Sequence, residues 1–412
     1  MGEDTRVPGR TYRGYILTLC GATAAFAAAA PTMAMPVLFA EIAGDLGLTL
    51  IQIGAVWGTA SFAALFTTLL GGMLGDRFGT RRTLAVICLL LGLFGASRGL
   101  SEGLGTLTLT VFLTGLMAAA VPMNLHKVCA TWFTGKSLAR ANAVVSGGMA
   151  FGFMLGSLIS ATVLSPWLGG WRGVLFLYGG ITVLLAIPWA LTWVSPLETE
   201  QRARGAASPS LWQALAHVAR VRDVWILGIA LLGVGGAVQG LLGYLPLYLR
   251  DVRWAASRAD SALAGFHAIS LLAVFPLAAL SDRIGSRVKV LIGASVLTAC
   301  GVGLLSIVDG ALIWIAVLMA GAVRDGYMSV YMSTVIELDG VGGTYAGTAI
   351  GLALTVSRIG TLAAPPLGNS LASFGPRMPF VLWSAMAAFG LAALAFLKGR
   401  GRGRQVTPIP EG

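Results

Sequence analysis

The chain has 412 residues, 56% of them hydrophobic and only 11% charged, with a mean hydropathy of +0.82 and a net charge of +11. Soluble globular domains carry roughly a quarter of their residues charged, so this composition excludes an ordinary soluble enzyme or nucleic-acid-binding domain and points to an all-α protein that crosses a membrane many times. Glycine supplies 56 residues, which suits helices packed closely in lipid, where small residues let backbones approach.

A spanning helix needs about 20 mainly apolar residues, and twelve segments qualify: 15–40, 50–74, 83–100, 104–130, 141–165, 173–194, 224–249, 261–280, 289–308, 311–336, 343–371 and 378–397. The polar start 1–14 precedes a hydrophobic run too long for a signal-peptide core, so no cleavage is expected. A polar stretch, 196–222, separates spans six and seven, and a basic tail, 398–412, follows the twelfth. With the N-terminus in the cytoplasm, cytoplasmic segments hold 20 Lys and Arg and the opposite side holds 6, among them Arg98, Arg172, Arg250 and Arg377. That asymmetry places both termini inside a cytoplasmic membrane, with basic loops facing anionic headgroups and no nucleic-acid partner required. Cys20, Cys88, Cys129 and Cys300 lie inside apolar runs without disulfide or zinc spacing and read as core thiols.

The segment GGMLGDRFGTRRTL at Gly71–Leu84 recurs as AALSDRIGSRVKVL at Ala278–Leu291, an offset of 206, and Gly170-Trp171-Arg172 pairs with Gly375-Pro376-Arg377 at 205. The chain is thus two parallel six-helix halves, 15–195 and 223–397, an architecture of transporters with a site at the interface of the repeats. These loops resemble the signature loops of the major facilitator superfamily, and the resemblance covers nearly the whole chain. It implies alternating access, with Asp76, Arg77, Gly79, Arg81 and Arg82, and their degenerate copy Asp282, Arg283 and Arg287, latching the cytoplasmic side when the site opens outward. Asp76 can accept bonds from the positive N-terminal end of the eleventh helix. Gly148, Gly152 and Gly156, four residues apart, predict a face on which a neighbouring helix lies close.

Two arginines lie half-way along spans: Arg324 in the tenth, beside Asp325, and Arg358 in the eleventh. A charge at that depth costs about 2.5 to 3.5 kcal/mol on insertion scales and so faces a cavity or a partner. Two Arg against one Asp leave a surplus positive charge, which calls for an anion such as a substrate carboxylate. Neighbours in a helix diverge by about 100°, so Arg324 is expected beside Tyr327 and Tyr331. Asp325 is expected to pair with Arg358 or to take the coupling proton. His267 in the eighth span, Asn124 in the fourth and Gln239 in the seventh are further polar candidates for the substrate path.

The stretch KVCATWFTGKSLARANAV resembles the loop after the fourth span in organic-anion carriers of the superfamily. Its drug/proton antiporters usually carry an arginine in the fourth span and a Gly-Pro pair in the fifth, and both are missing here. Monocarboxylate and oxalate/formate carriers of the superfamily often have an arginine in the eighth span, whereas this span offers His267. No phosphate loop, metal cluster or nucleophile–base pair appears, so neither an enzyme nor a cofactor is expected. The expectation is a monomeric, gradient-driven carrier of a small organic anion. The rival is a drug or neutral-solute/proton transporter in which Arg324, Asp325 and Arg358 form a structural charge network. A receptor on the same scaffold would have only the short linker and tail to signal through.

Overall fold

The computed structural model describes residues 10–192 and 211–397, without the side chains of 10, 68–77, 135, 136, 139, 211, 275, 278, 282, 343 and 344. The expectations for the first nine residues, for most of the linker and for the tail lie outside the described residues, as do those for the side chains of Asp76, Arg77 and Asp282.

Among the described residues the chain is helical throughout. The first span joins α1 (Arg10–Ala22), a π-helical stretch (Thr23–Ala29) and α2 (Ala30–Leu46). The second is α3 (Leu50–Phe78), the third α4 (Thr80–Ser97), and the fourth α5 (Leu104–Ala118) with α6 (Val121–Trp132). The fifth joins α7 (Gly135–Ile159), a π-helical stretch (Ser160–Leu164) and α8 (Ser165–Leu168), and the sixth is α9 (Trp171–Leu191). A short α10 (Leu211–Val218) leads into α11 (Arg222–Asp251), α12 (Ala256–Ile284) and α13 (Arg287–Leu304), spans seven to nine. The tenth span is α14 (Leu312–Gly321) with α15 (Arg324–Ile336), the eleventh α16 (Gly342–Ser370) and the twelfth α17 (Met378–Leu394). Ten of these spans are long and apolar enough to cross a bilayer by length and composition, α17 is a shorter apolar helix, and α12 completes twelve.

One expectation changes, and the linker gains a detail. The last part of the polar linker 196–222 forms α10, which buries Ala214 and Val218 and stacks His217 on Tyr345 at 4.2 Å. Cys300 is exposed on the outer surface of α13, so only Cys20, Cys88 and Cys129 are core thiols.

Glycine sets how closely the helices approach. A Cβ on Gly148, Gly152 or Gly156 would collide with the carbonyls of Gly21, Ala25 and Ala30, so α7 lies with bare backbone against the first span, as the four-residue spacing predicts. In the second half Gly360 meets Leu232 and Gly233 meets Met386 in the same way, drawing α16 and α17 onto α11.

The two halves are joined at one end. There a shared core combines Phe39 and Trp57 of the first half with Tyr244, Tyr248, Phe380 and Trp383 of the second. At the end bearing α1 and α17's C-terminus, each half has its own core, one built on Ile16, Leu84 and Trp189, the other on Leu227, Leu291 and Leu394.

Candidate functional site

The tenth span is broken at its midpoint. Gly321 passes so near the eighth span that a Cβ would sit 2.5 Å from the Phe266 carbonyl, and the helix restarts at Arg324 after a turn at Ala322–Val323. The break keeps its hydrogen bonds, Ala322 N–H to Leu318 and Tyr327 N–H to Val323, which meets the demand of lipid that backbone groups be satisfied within the protein. It also places a helix N-terminus, with its partial positive charge, at mid-depth.

Asp325 sits in that first turn. Arg324 Nη1 donates to Asp325 Oδ1 at 2.8 Å, Ser270 Oγ donates to Oδ2 at 2.8 Å, and the Asp325 N–H donates to Ser270 Oγ at 3.1 Å. This corrects two expectations. Arg324 and Asp325 do meet, because at the first turn the long arginine can fold back on its neighbour. Asp325 makes no ion pair with Arg358 among the described residues; α16, which carries Arg358, packs mainly on α11 and α3. Arg358 is half-buried, its Nε enclosed and without a hydrogen-bond partner among the described residues.

The Arg324–Asp325 pair stays partly open, with side-chain exposures of 22% and 29%. Its guanidinium lies 4.8 Å above the Phe153 ring of α7, which belongs to the opposite half, a distance at which a cation is attracted to the ring face. His267, one turn before Ser270 on α12, lies 5.3 Å from the same ring, buried with both ring nitrogens lacking a partner. The structure therefore brings together Phe153, His267, Ser270, Arg324 and Asp325 where α7, α12 and α15 converge, a surface with a cation, an aromatic face and hydrogen-bonding groups.

Other candidates lie elsewhere. Tyr327 and Tyr331 do not flank a ligand with Arg324: they are buried in the core of the second half, stacked on one another at 6.1 Å, because α15 turns that face toward its own bundle. Asn124 is fully buried at the break in the fourth span, its Nδ2 donating to Ala120 O at 2.8 Å, and does not face an open path. Gln239 is half-buried and offers its carbonyl to Trp57 Nε1 across the halves at 2.8 Å. Around the signature loops, Gly79 (φ 89°) and Gly285 (φ 65°) take the left-handed turns. Arg81 donates to Ala190 O and Arg287 pairs with Glu337 at 2.7 Å, both within their own half, while Arg82 and Arg283 are exposed.

Sequence reasoning missed Ser270 and Phe153. Ser270 is three residues from His267 on one helix face, a spacing that pointed to it. Phe153 sits among apolar neighbours and carried no signal. Arg98, counted as an outer-loop charge, is in fact buried, with its Nε donating to Gly95 O.

The comparisons agree with this architecture. The Major Facilitator Superfamily family model matches residues 17–357. The 3-(3-hydroxy-phenyl)propionate transporter of Escherichia coli (strain K12) is 24% identical over 373 residues, 90% of each chain, and the hexuronate transporter of Bacillus subtilis (strain 168) is 24% identical over 220 residues, 52% of this chain and 51% of that one. Among solved structures, a bacterial homologue of the human lysosomal transporter Spinster, inward-facing and occupied, superposes with a TM-score of 0.73 at 16% identity, covering 94% of this chain and 97% of that one. With twelve spans in two parallel six-helix repeats, the chain belongs to the Major Facilitator Superfamily and is a transporter rather than an enzyme.

Proposed function

We propose that the protein carries a small organic anion, a carboxylate, across the cytoplasmic membrane by alternating access, driven by a proton or exchange gradient. The observation that carries this reading is Arg324: a mid-depth guanidinium that reaches from one half to an aromatic ring of the other, with Asp325 as its ion-pair partner and part of its surface open. A substrate carboxylate can take fork hydrogen bonds from the guanidinium while the rest of the molecule lies against Phe153 and His267. Arg358 supplies the remaining positive charge. Once the substrate occupies Arg324, Asp325 loses its ion-pair partner and becomes the group to accept a coupling proton. The two curated relatives, whose names specify an aromatic propionate and a hexuronate, both move carboxylates, which supports the class and leaves its member open.

In this reading both termini are cytoplasmic, as the 20 to 6 distribution of Lys and Arg favours. The halves 15–195 and 223–397 rock about the site as monomeric units of one chain, joined by the linker 196–222. The shared core then lies at the extracellular end, so the structure is open inward, and the signature loops, including Asp76, would engage across the halves only in the opposite state. The bonds that Arg324 and Asp325 make to one another favour one second reading, a structural charge network in a carrier of drugs or neutral solutes. Uptake of radiolabelled aromatic and sugar-acid carboxylates into vesicles, against their neutral amides, separates the two. Saturable uptake of the acids alone supports the proposal, and uptake of amides at equal rates refutes it.

A further inference from the structure

Among the described residues three side chains bond the halves to one another where the shared core lies: Trp57 Nε1 to Gln239 O, Asn369 Nδ2 to Leu50 O and Arg250 Nη1 to Val37 O, each at 2.8 Å. Of these three donors only Arg250 is charged. Its other amino group, Nη2, donates at 2.6 Å to Oδ1 of Asp260, which holds the guanidinium in place from within the second half. Other ion pairs at this end, Arg172 with Asp45 and Arg377 with Asp309, each stay inside one half.

Asp260 is unusual for a carboxylate: its side chain is 0% exposed, and its Oδ2 is buried with no hydrogen-bond partner. Among the described residues two charged groups act on it, Arg250 of α11 and Glu41 of α2. Glu41 itself accepts a bond from Ser165 Oγ at 2.6 Å. The other elements packed on α12, namely α7, the Ser160–Leu164 stretch, α13, α14 and α15, bring no further charge to it. The nearby Arg253 and Arg258 are exposed. A buried carboxylate held by one guanidinium, with a second acid near and one oxygen unbonded, is a group for which uptake of a proton relieves both desolvation and like-charge repulsion.

We propose that Asp260 is a proton-binding site that controls a lock between the halves, with Arg250 as the bolt and the Val37 carbonyl as the catch. While Asp260 carries a proton, the closed end buries a neutral acid beside Glu41, Arg250 keeps its bond to Val37 and the extracellular end stays shut. Loss of the proton leaves a buried carboxylate that gains by separating from Glu41 of the other half and by meeting water, so the ionised state favours parting of the halves. The bonds from Trp57 and Asn369 involve no titrating group, so pH acts through Asp260. The inference rests on the alternating-access reading, though not on the identity of the substrate.

Spin labels at Glu102→Cys and Phe374→Cys, both exposed at this end and one in each half, report the separation in a Cys300→Ser background. In the otherwise unaltered protein the population with long distances should shrink by about threefold or more between about pH 7.5 and about pH 5.5, because the proton binds more tightly to the closed state, where the carboxyl is buried beside Glu41. Asp260→Asn, a near-isosteric change that keeps the side chain neutral, should show the reduced population at both pH values. Arg250→Gln, which removes the bond to Val37 without altering Asp260, should enlarge that population, which guards against a folding defect in the first variant. Arg324→Ala should keep the pH response, so that failure of the anion site and failure of the lock are told apart. Distance distributions for Asp260→Asn and Arg250→Gln that match the parent at both pH values would overturn the proposal.

Discussion

Replacing Arg324 by alanine removes the cation on which the proposed site depends, together with the 2.8 Å bond to Asp325 and the contact with Phe153. A hydrogen bond to a charged group contributes about 1.5–3 kcal/mol, so losing the fork to a substrate carboxylate should weaken binding by about tenfold to about 150-fold. The same change leaves Asp325 without its counter-charge, which destabilises the fold and complicates any loss of transport. Ser270 still bonds that carboxylate and its exposure is 29%, so the cost is that of a half-solvated charge. The double variant Arg324→Ala/Asp325→Ala removes both charges and should recover most of the lost thermal stability without recovering binding. Arg324→Lys keeps the charge but not the planar fork and should retain only part of the affinity. Calorimetric titration with a bound carboxylate, alongside thermal unfolding, checks each step. Affinity within about threefold of the parent in Arg324→Ala would refute the reasoning.

Further outcomes follow from the same contacts. Arg358→Gln removes a partly buried cation with no ion-pair partner among the described residues, whose presence at mid-depth costs about 2.5 to 3.5 kcal/mol on insertion scales, so it should raise the unfolding temperature while lowering anion affinity; no change in either would place Arg358 against solvent or lipid headgroups. Gly360→Ala forces a Cβ into the Leu232 carbonyl at the α11–α16 contact and should cost about 1–3 kcal/mol, read as a lower unfolding temperature, whereas Gly347→Ala, where the space is open, should be tolerated. Arg287→Ala breaks an exposed pair with Glu337, worth about 0–1 kcal/mol, and should leave stability almost unchanged while altering transport rate if the loop acts in the cycle. Asp325→Asn should preserve counterflow exchange and abolish pH-driven accumulation, and an unchanged pH dependence would assign the pair a structural role.

Helix positions were legible because insertion into lipid depends on local hydropathy, which twelve apolar runs display directly. The close contact of α7 with the first span was legible for a related reason: glycine at four-residue spacing has one geometric use. Side-chain partners were less so. Straight-helix geometry separated Arg324 from Asp325, but the tenth span breaks at Gly321–Val323, a consequence of its approach to Phe266 in another span, and the break resets which side chains can meet. The rotation of α15 that buries Tyr327 and Tyr331 is likewise a tertiary property, as is the inward course of Arg98. Phe153 and Asp260 show the limit best. One looks like any core aromatic and the other like a helix-end acid, and only the meeting of the two halves shows what each touches.

The central claim is that the site selects a negative charge. Isothermal titration of the purified protein in lipid nanodiscs with a matched pair, an aryl propionate and its amide, tests it most directly. The account predicts saturable binding of the acid, binding of the amide at least about tenfold weaker, and loss of that difference in Arg324→Ala. Equal affinity for the acid and the amide, or binding of amphipathic cations alone, would contradict it.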